Sequence, residues 1–199
     1  MGHRACHYKY FNERYISHER RFNFATTLAD VIMSKAPLLY MDEAAVNMWL
    51  RGKKTWSTRN EPVRMNLNVA QGEGVTIMGC IGNCMSAPYF ELATSTNNVE
   101  FQRFLTALRG RCCVPRQEPV YLVLDNASSH HNNASKQCMA ALNFRPLFIV
   151  PYSPEFNSIE RLWSVIKRRI KARLALAKDL KLSQEQFEHV VLGACNEVT

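Results

Sequence analysis

The feature of this sequence that most constrains its fold is a change in the spacing of apolar residues near residue 98. Between residue 38 and that point the apolar residues either cluster or alternate with polar ones, and both patterns predict β-strands. The predicted strands are LLYMDEAAV (38–46), RMNLNVA (64–70), VTIMGCIG (75–82) and PYFELAT (88–94). After residue 98 apolar residues recur at intervals of three and four, which is typical of a helix that lies on a sheet.

The second half of the chain therefore alternates between helices and strands. Asn98 is the predicted cap of its first helix and Gly110 the predicted stop. The next predicted elements are a strand YLVLD (121–125), a helix near 133–143 and a strand LFIV (147–150). A helix is then predicted to begin at Ser153-Pro154-Glu155, and its apolar stripe is Ile159, Leu162, Trp163, Ile166 and Ile170. A last helix is predicted from the capping pair Ser183 and Gln186 to about Asn196. This order predicts an α/β fold, with a mixed sheet and helices on its faces.

A further helix is predicted at 11–35, ahead of Pro37, with Phe22, Ala25, Leu28 or Ala29, and Ile32 as its apolar stripe. We expect residues 1–36 to form an N-terminal extension with this linker helix, and residues 37–199 to form the domain. With 199 residues, of which 47% are hydrophobic, the chain has enough apolar material for one core.

Composition narrows the class of protein. No apolar stretch approaches the roughly 18 residues of a membrane span, and the first ten residues lack the apolar run of a secretory signal. The seven cysteines show no CxxC spacing, which predicts reduced intracellular thiols. The formal net charge of +8 favours a polyanionic partner such as nucleic acid.

Three acids are the candidate chemical groups. Asp42 and Asp125 each stand near the end of an apolar predicted strand, where sites collect in open α/β sheets, and Glu160 lies near the start of a strongly capped helix. Taken singly, either aspartate also fits a loop or cap residue. If the three carboxylates converge they repel one another and need cations, and without a His/Cys cluster the hard oxygen ligands favour Mg²⁺ or Mn²⁺ over Zn²⁺.

The three acids lie in recognisable blocks. The strings YMDEA, VLDNASSHH and VPYSPEFNSIERLWSVIKRRIK resemble the three signature blocks of mariner-like transposases, which belong to the D-D-E superfamily and have a ribonuclease H-like fold. The resemblance implies that Asp42, Asp125 and Glu160 are the catalytic metal ligands. The 34 residues between Asp125 and Glu160 match the branch of the family whose third acid is a glutamate. Ser158, in place of a usual proline, and Asn60, near a usual glycine, depart from the family pattern.

The implied function is metal-dependent DNA strand cleavage and transfer. Two ions held by the carboxylates would activate a water or a DNA 3′-hydroxyl, so no side-chain nucleophile is needed. The expected partner is double-stranded DNA, as transposon ends and target, in the nucleus if the host is eukaryotic, and homodimerisation stays open. Relatives carry an N-terminal helix-turn-helix region, which this chain is expected to lack.

Two other functions stay open. One is a catalytically idle or host-adopted DNA-binding remnant of such a transposase, although the presence of all three acids argues against decay of the site. The other is a ribonuclease H-type nuclease that acts on hybrids, against which the IERLW block (159–163) weighs.

Residues near the acids have alternative interpretations. Asn126 and His130 match the family's second block and would orient Asp125 or contact DNA, whereas His130 also fits a loop histidine that caps the next helix. Glu43 alternates to the opposite strand face from Asp42, which favours a supporting role over ligation.

Two basic segments are candidate DNA contacts. Six cations and no acid lie between residues 161 and 173, among them Lys167, Arg168 and Arg169, which indicates a DNA-facing surface, a nuclear-import signal or both. Lys53 and Lys54 lie in a basic segment with two tryptophans, where phosphate contact competes with ordinary hairpin packing. For Lys167 the alternative is a solvated lysine.

Overall fold

The computed structural model describes residues 17–47, 74–93, 95, 97–176 and 182–198. Its elements are α1 (His18–Met33), β1 (Leu38–Val46), β2 (Val75–Gly82), β3 (Tyr89–Ala93), α2 (Asn98–Arg111), β4 (Val120–Leu124), α3 (Ser128–His131), α4 (Asn133–Ala141), β5 (Phe144–Phe148), a 3₁₀ turn (Pro154–Phe156), α5 (Ile159–Leu176) and α6 (Gln184–Asn196). The predicted strand at 64–70 lies outside the described residues, as do Lys53 and Lys54.

The strands form one mixed sheet in the order β3-β2-β1-β4-β5. β1 to β3 are antiparallel neighbours, whereas β4 runs parallel to β1, and β5 parallel to β4. The parallel pairs bring the carboxyl ends of β1 and β4 to the same edge of the sheet. The predicted mixed sheet flanked by helices is confirmed.

Strand alternation divides the core between the two faces of the sheet. On one face Leu39 and Met41 of β1 pack with Phe104 of α2 and Met139 of α4. On the opposite face α5 and α6 cover β1 to β3, and Ala44 belongs to that cluster. α1 covers a third cluster, which includes Leu38 at the start of β1 and Val123 of β4.

The predicted apolar stripe of α1 is largely wrong. Phe22 is 72% exposed and Ile32 53% exposed, whereas Leu28 and Val31 are buried and Phe24 packs beside them. Two apolar stripes with the same helical spacing exist on this helix, and the neighbouring β4 and 3₁₀ turn determine which one is covered. Local periodicity does not contain that information.

Three predicted boundaries shift for local reasons. The strand predicted at 147–150 is Phe144–Phe148 and includes Pro146, which is tolerated because β5 is the last strand of the sheet. The cap of α2 is Asn97, whose side chain accepts hydrogen bonds from two backbone amides. Ser153-Pro154-Glu155 starts the 3₁₀ turn, and α5 itself begins at Ile159.

The last helix matches its prediction. Ser183 and Gln186 form the predicted capping box, and α6 ends at Asn196. Among the helices of the described residues, none combines the length and the apolar character that a bilayer crossing requires.

Candidate active site

A cleft of about 420 Å³ opens at the edge where β1 and β4 end. All three predicted acids line it. We call it the acid cleft; its lining residues are Asp42, Asp125, Asn126, Ala127, residues 149–154, Asn157 and Glu160. The sheet and the first turn of α5 thus bring together residues that are 118 positions apart in the chain (42 to 160).

Asp42 lies in the middle of β1, opposite Gly79 of β2, on the face that α5 covers, and not near the end of the strand as predicted. The prediction was wrong because β1 continues to pair with β2 after its pairing with β4 has stopped. The indole Nε1 of Trp163 donates a hydrogen bond to its Oδ2 at 3.0 Å. Burial, with a smaller contribution from the charge of Glu160, raises the pKa of Asp42 to about 7 despite that hydrogen bond. Two carboxylates therefore repel each other across this cleft, as expected of a site that takes up cations.

Asp125 follows β4 directly, and its carboxylate is held from the loop behind it. Oδ1 accepts a hydrogen bond from the backbone N–H of Ala127 at 3.0 Å and lies 2.9 Å from Nδ1 of His130. The hydrogen bond with His130 holds the pKa of Asp125 below its ordinary value. The side chain is 52% exposed, so it stays accessible from the cleft while one oxygen is fixed.

His130 lies between two carboxylates. Its Nε2 is 3.0 Å from Oε1 of Glu43, and the ring is 1% exposed. Carboxylates only accept hydrogen bonds, so this geometry places a proton on each ring nitrogen. Burial opposes the resulting charge, but the hydrogen bonds with Asp125 and Glu43 outweigh it and raise the pKa of His130 to about 10.

In the part of the chain that the structure describes, a group of possible metal-ligand atoms lies close together that differs from the predicted triad. One ligand atom each from Glu43, Asp125 and His130 lies within 4.8 Å of the others. Glu43 is thus on the face opposite Asp42, as its alternation along β1 predicts, and contacts the histidine. That Asp42, Asp125 and Glu160 converge on shared ions stays a prediction.

Glu160 is positioned by a residue that the sequence did not single out. Asn157 is 4% exposed, and its side-chain amide donates to the backbone carbonyl of Met41 at 3.0 Å. Its own carbonyl accepts from the N–H of Glu160 at 3.1 Å. Asn157 therefore ties the first turn of α5 to the strand that carries Asp42. The only signal in the sequence was an asparagine just ahead of the helix, and an asparagine in that place is also an ordinary helix cap.

Asn126 joins the loop after β4 to the end of β5. Its amide nitrogen donates to the carbonyl of Ile149, and its Oδ1 lies 2.9 Å from Nε2 of His131. His131 in turn stacks on Phe148, with ring centroids 4.0 Å apart. Asn126 thus has structural partners while it lines the cleft.

The basic residues of α5 divide into two groups. Arg168, like Arg161 and Lys171, is exposed, and Lys167 is half-buried. Arg169 instead lies against α6, with its Nε 3.6 Å from a carboxylate oxygen of Glu197, and Arg173 pairs with the same acid. The predicted DNA-contact role of Arg169 therefore competes with a role in holding α5 to α6.

Together, the structure brings one acid inside β1, one directly after β4 and a third on the helix across the cleft, which is the arrangement of a ribonuclease H-like fold. The chain belongs to the DDE superfamily endonucleases, whose family model matches residues 37–182. No curated protein sequence matches the chain.

Solved structures of the Mos1 mariner transposase have the same fold. Its catalytic domain matches with a TM-score of 0.56 and 19% identity over 94% of this chain and 92% of that one. The Mos1 paired-end complex with the left transposon end matches with a TM-score of 0.64 and 18% identity over all of this chain. The Mos1 strand transfer complex matches with a TM-score of 0.65 and 19% identity over 99% of this chain. The chain spans 68% and 64% of the length of those two transposase chains.

Proposed function

We propose that the protein is the catalytic part of a mariner-type transposase that cleaves and joins DNA phosphodiesters with divalent metal ions. The observation that carries the proposal is the acid cleft, into which β1, β4 and α5 each bring one acid of the predicted triad. The family match and the three sequence blocks support the same function, and the Mos1 likeness supports it through the fold.

The donor set of the acid cleft fits Mg²⁺ or Mn²⁺. Carboxylate oxygens are the hard ligands that these ions prefer. Burial, and to a smaller extent the charge of Glu160, raises the pKa of Asp42, and a bound cation would offset both effects. Among the Mos1 structures of the same fold are paired-end complexes with Mn and with Mg. When bound, such ions supply Lewis acidity that activates a water or a 3′-hydroxyl and stabilises the leaving oxygen.

The residues of the chain provide the ligands and their orientation. Asp42, Asp125 and Glu160 would hold the ions, and the hydrogen bond from Trp163 turns one oxygen of Asp42 toward α5. In hydrolysis the bond between phosphorus and the 3′-oxygen breaks while a bond to the water oxygen forms. In strand transfer a DNA 3′-hydroxyl takes the place of that water.

The substrate is double-stranded DNA, as transposon ends and target. The exposed cations Arg161, Arg168 and Lys171 begin next to Glu160 and continue along α5, where they are suited to phosphate contacts. Action in the nucleus of a eukaryotic host, and assembly as a homodimer on DNA, belong to the same proposal.

Metal-dependent nicking of supercoiled DNA tests the proposal. We expect the purified protein to nick DNA with Mg²⁺ or Mn²⁺ and to stop when chelator is added. Asp125→Asn should abolish nicking, because the amide keeps the shape but loses the charge that offsets the ions. Asp30→Asn, at an exposed acid on α1, is the matched control and should retain full activity.

Each other outcome identifies a different function. Undiminished nicking by Asp125→Asn would mean that the cleft is not the active site. DNA binding without nicking under either metal would favour the idle remnant, and cleavage confined to the RNA strand of a hybrid would favour a ribonuclease H-type nuclease.

A further inference from the structure

β1 and β4 stop pairing before they reach the acid cleft. Their parallel ladder joins Leu38 to Tyr121 and ends with Tyr40 and Val123 in the part of the chain that the structure describes. Continued in the same register, the ladder would place Asp42 beside Asp125. Both acids therefore lie beyond the last backbone pair, and the sheet alone does not fix one relative to the other.

The side chain of His130 spans this gap. One ring nitrogen lies 2.9 Å from Oδ1 of Asp125, and the other lies 3.0 Å from Oε1 of Glu43, the residue that follows Asp42 in β1. Phe101 of α2 holds the ring from the side, with centroids 4.4 Å apart. The imidazole thus connects the two chain segments that carry the first two acids.

The hydrogen bonds of Asp125 fall on one of its two carboxylate oxygens. His130 and the backbone N–H of Ala127 both use Oδ1. Among the described residues, the structure gives Oδ2 no hydrogen bond, so this oxygen is available as a ligand. The arrangement orients the carboxylate without occupying it.

Two simpler roles for the histidine, contact with DNA and stabilisation of the fold, are disfavoured. At 1% exposure the ring does not reach DNA, and Glu43 is only 15% exposed. A buried charged pair is also weak evidence for stability, because the cost of desolvation often exceeds the electrostatic gain and apolar replacements are frequently as stable.

We propose that His130, held by Glu43, is a positioning residue that fixes the Asp125 carboxylate for metal binding at the point where β1 and β4 stop pairing. This inference rests on the proposed metal-dependent function. Groups that orient a metal ligand through hydrogen bonds typically change metal affinity by about 10- to 100-fold when removed.

Mn²⁺ binding to the full chain, followed by the electron paramagnetic resonance signal of the free ion, tests this role without relying on catalysis. We expect His130→Ala to weaken binding by about tenfold or more. His130→Asn should lose less affinity than His130→Ala, because its amide nitrogen replaces the Nδ1 donor to Asp125 but not the Nε2 contact with Glu43. His189→Ala, at an exposed histidine of α6, is the control and should bind as the wild type does.

Nicking assays add a second measurement. His130→Ala should need a higher Mn²⁺ concentration for half-maximal activity and recover most of its rate at saturation, whereas a general loss of structure would lower the rate at every concentration. If His130→Ala does not fold, Glu43→Gln removes the charge beside His130 while keeping an acceptor, and it should weaken Mn²⁺ binding measurably.

Asp125→Asn separates this inference from the function on which it rests. Wild-type binding that Asp125→Asn removes, together with unchanged affinity in folded His130→Ala or Glu43→Gln, would overturn the positioning role alone. Wild-type binding that Asp125→Asn leaves intact, or no binding at all, would overturn the proposed metal site and the positioning role with it.

Discussion

At the scale of single residues, the surroundings of Asp42 destabilise the charged form of its carboxyl group. Its pKa is raised to about 7 in the folded chain, from 3.8, mainly by burial and then by Glu160. Between pH 4 and pH 7 the folded state therefore holds a proton on Asp42 that the unfolded chain releases. The free energy of unfolding thus falls as the pH rises through this range. Asp42→Asn should remove that pH dependence. With chelator at pH 8 it should raise the free energy of unfolding by about 1–2 kcal/mol, which is less than the full pKa shift would give because the side chain has partial access to solvent.

Urea denaturation at pH 5 and pH 8 measures the effect. The gain from Asp42→Asn should be larger at pH 8 than at pH 5, and Asp30→Asn, at an exposed acid, should show no such difference. Equal stability of Asp42→Asn and the wild type at pH 8 would show that burial and Glu160 do not destabilise the charged form of Asp42.

At the scale of elements, Gly79 determines how closely α5 approaches the sheet. A Cβ at this position would lie 2.5 Å from the Cη2 atom of Trp163, the residue that donates to Asp42. Gly79→Ala should therefore shift the indole and destabilise the fold by about 1–3 kcal/mol, as overpacking typically does. Gly110→Ala is the matched control with the opposite sign, because nothing lies within 4 Å of its added Cβ in α2, and it should stabilise by about 0.5–1 kcal/mol.

Thermal unfolding of the two glycine variants checks this prediction, and nicking assays extend it to the site. Gly79→Ala should lose activity along with stability, because the donor to Asp42 moves. A Gly79→Ala protein as stable as the wild type would mean that α5 does not pack closely on β2.

At the scale of the whole molecule, the positive charge favours DNA binding without sequence selection. Phosphate contacts by the exposed cations of α5 supply affinity but carry no sequence information. Binding should be weak and steeply salt-dependent, and replacement of both Arg168 and Lys171 by alanine should reduce the salt slope by about 2. The paired replacement of Arg20 and Lys136, exposed on other helices, is the control and should leave the slope nearly unchanged.

Fluorescence anisotropy at several salt concentrations measures the slope, and competition between transposon-end and scrambled duplexes measures selection. A preference of about a hundredfold or more for the ends, roughly 2.7 kcal/mol, would show that the described fold reads sequence itself.

The amino-acid sequence by itself determined the order of the elements and the identity of the three acids. Strand and helix periodicity are local properties, so β1, β2, β3, α2, β4 and α6 were predicted close to their observed bounds. Asp42, Asp125 and Glu160 followed from their places relative to those elements and from the resemblance of their sequence blocks. Their gathering at one cleft follows from the parallel pairing of β1 with β4 and the placement of α5.

Only the tertiary structure decided which side chains support those acids and which faces are covered. The choice between the two stripes of α1 depended on packing against β4, a contact between distant segments. The bridge from Glu43 through His130 to Asp125 joins residues 87 positions apart, and the tie from Asn157 to Met41 joins residues 116 apart. A sequence pattern records the spacing of neighbours along the chain, whereas these contacts depend on where separate strands end in space, and that is set only when the sheet and its helices pack together.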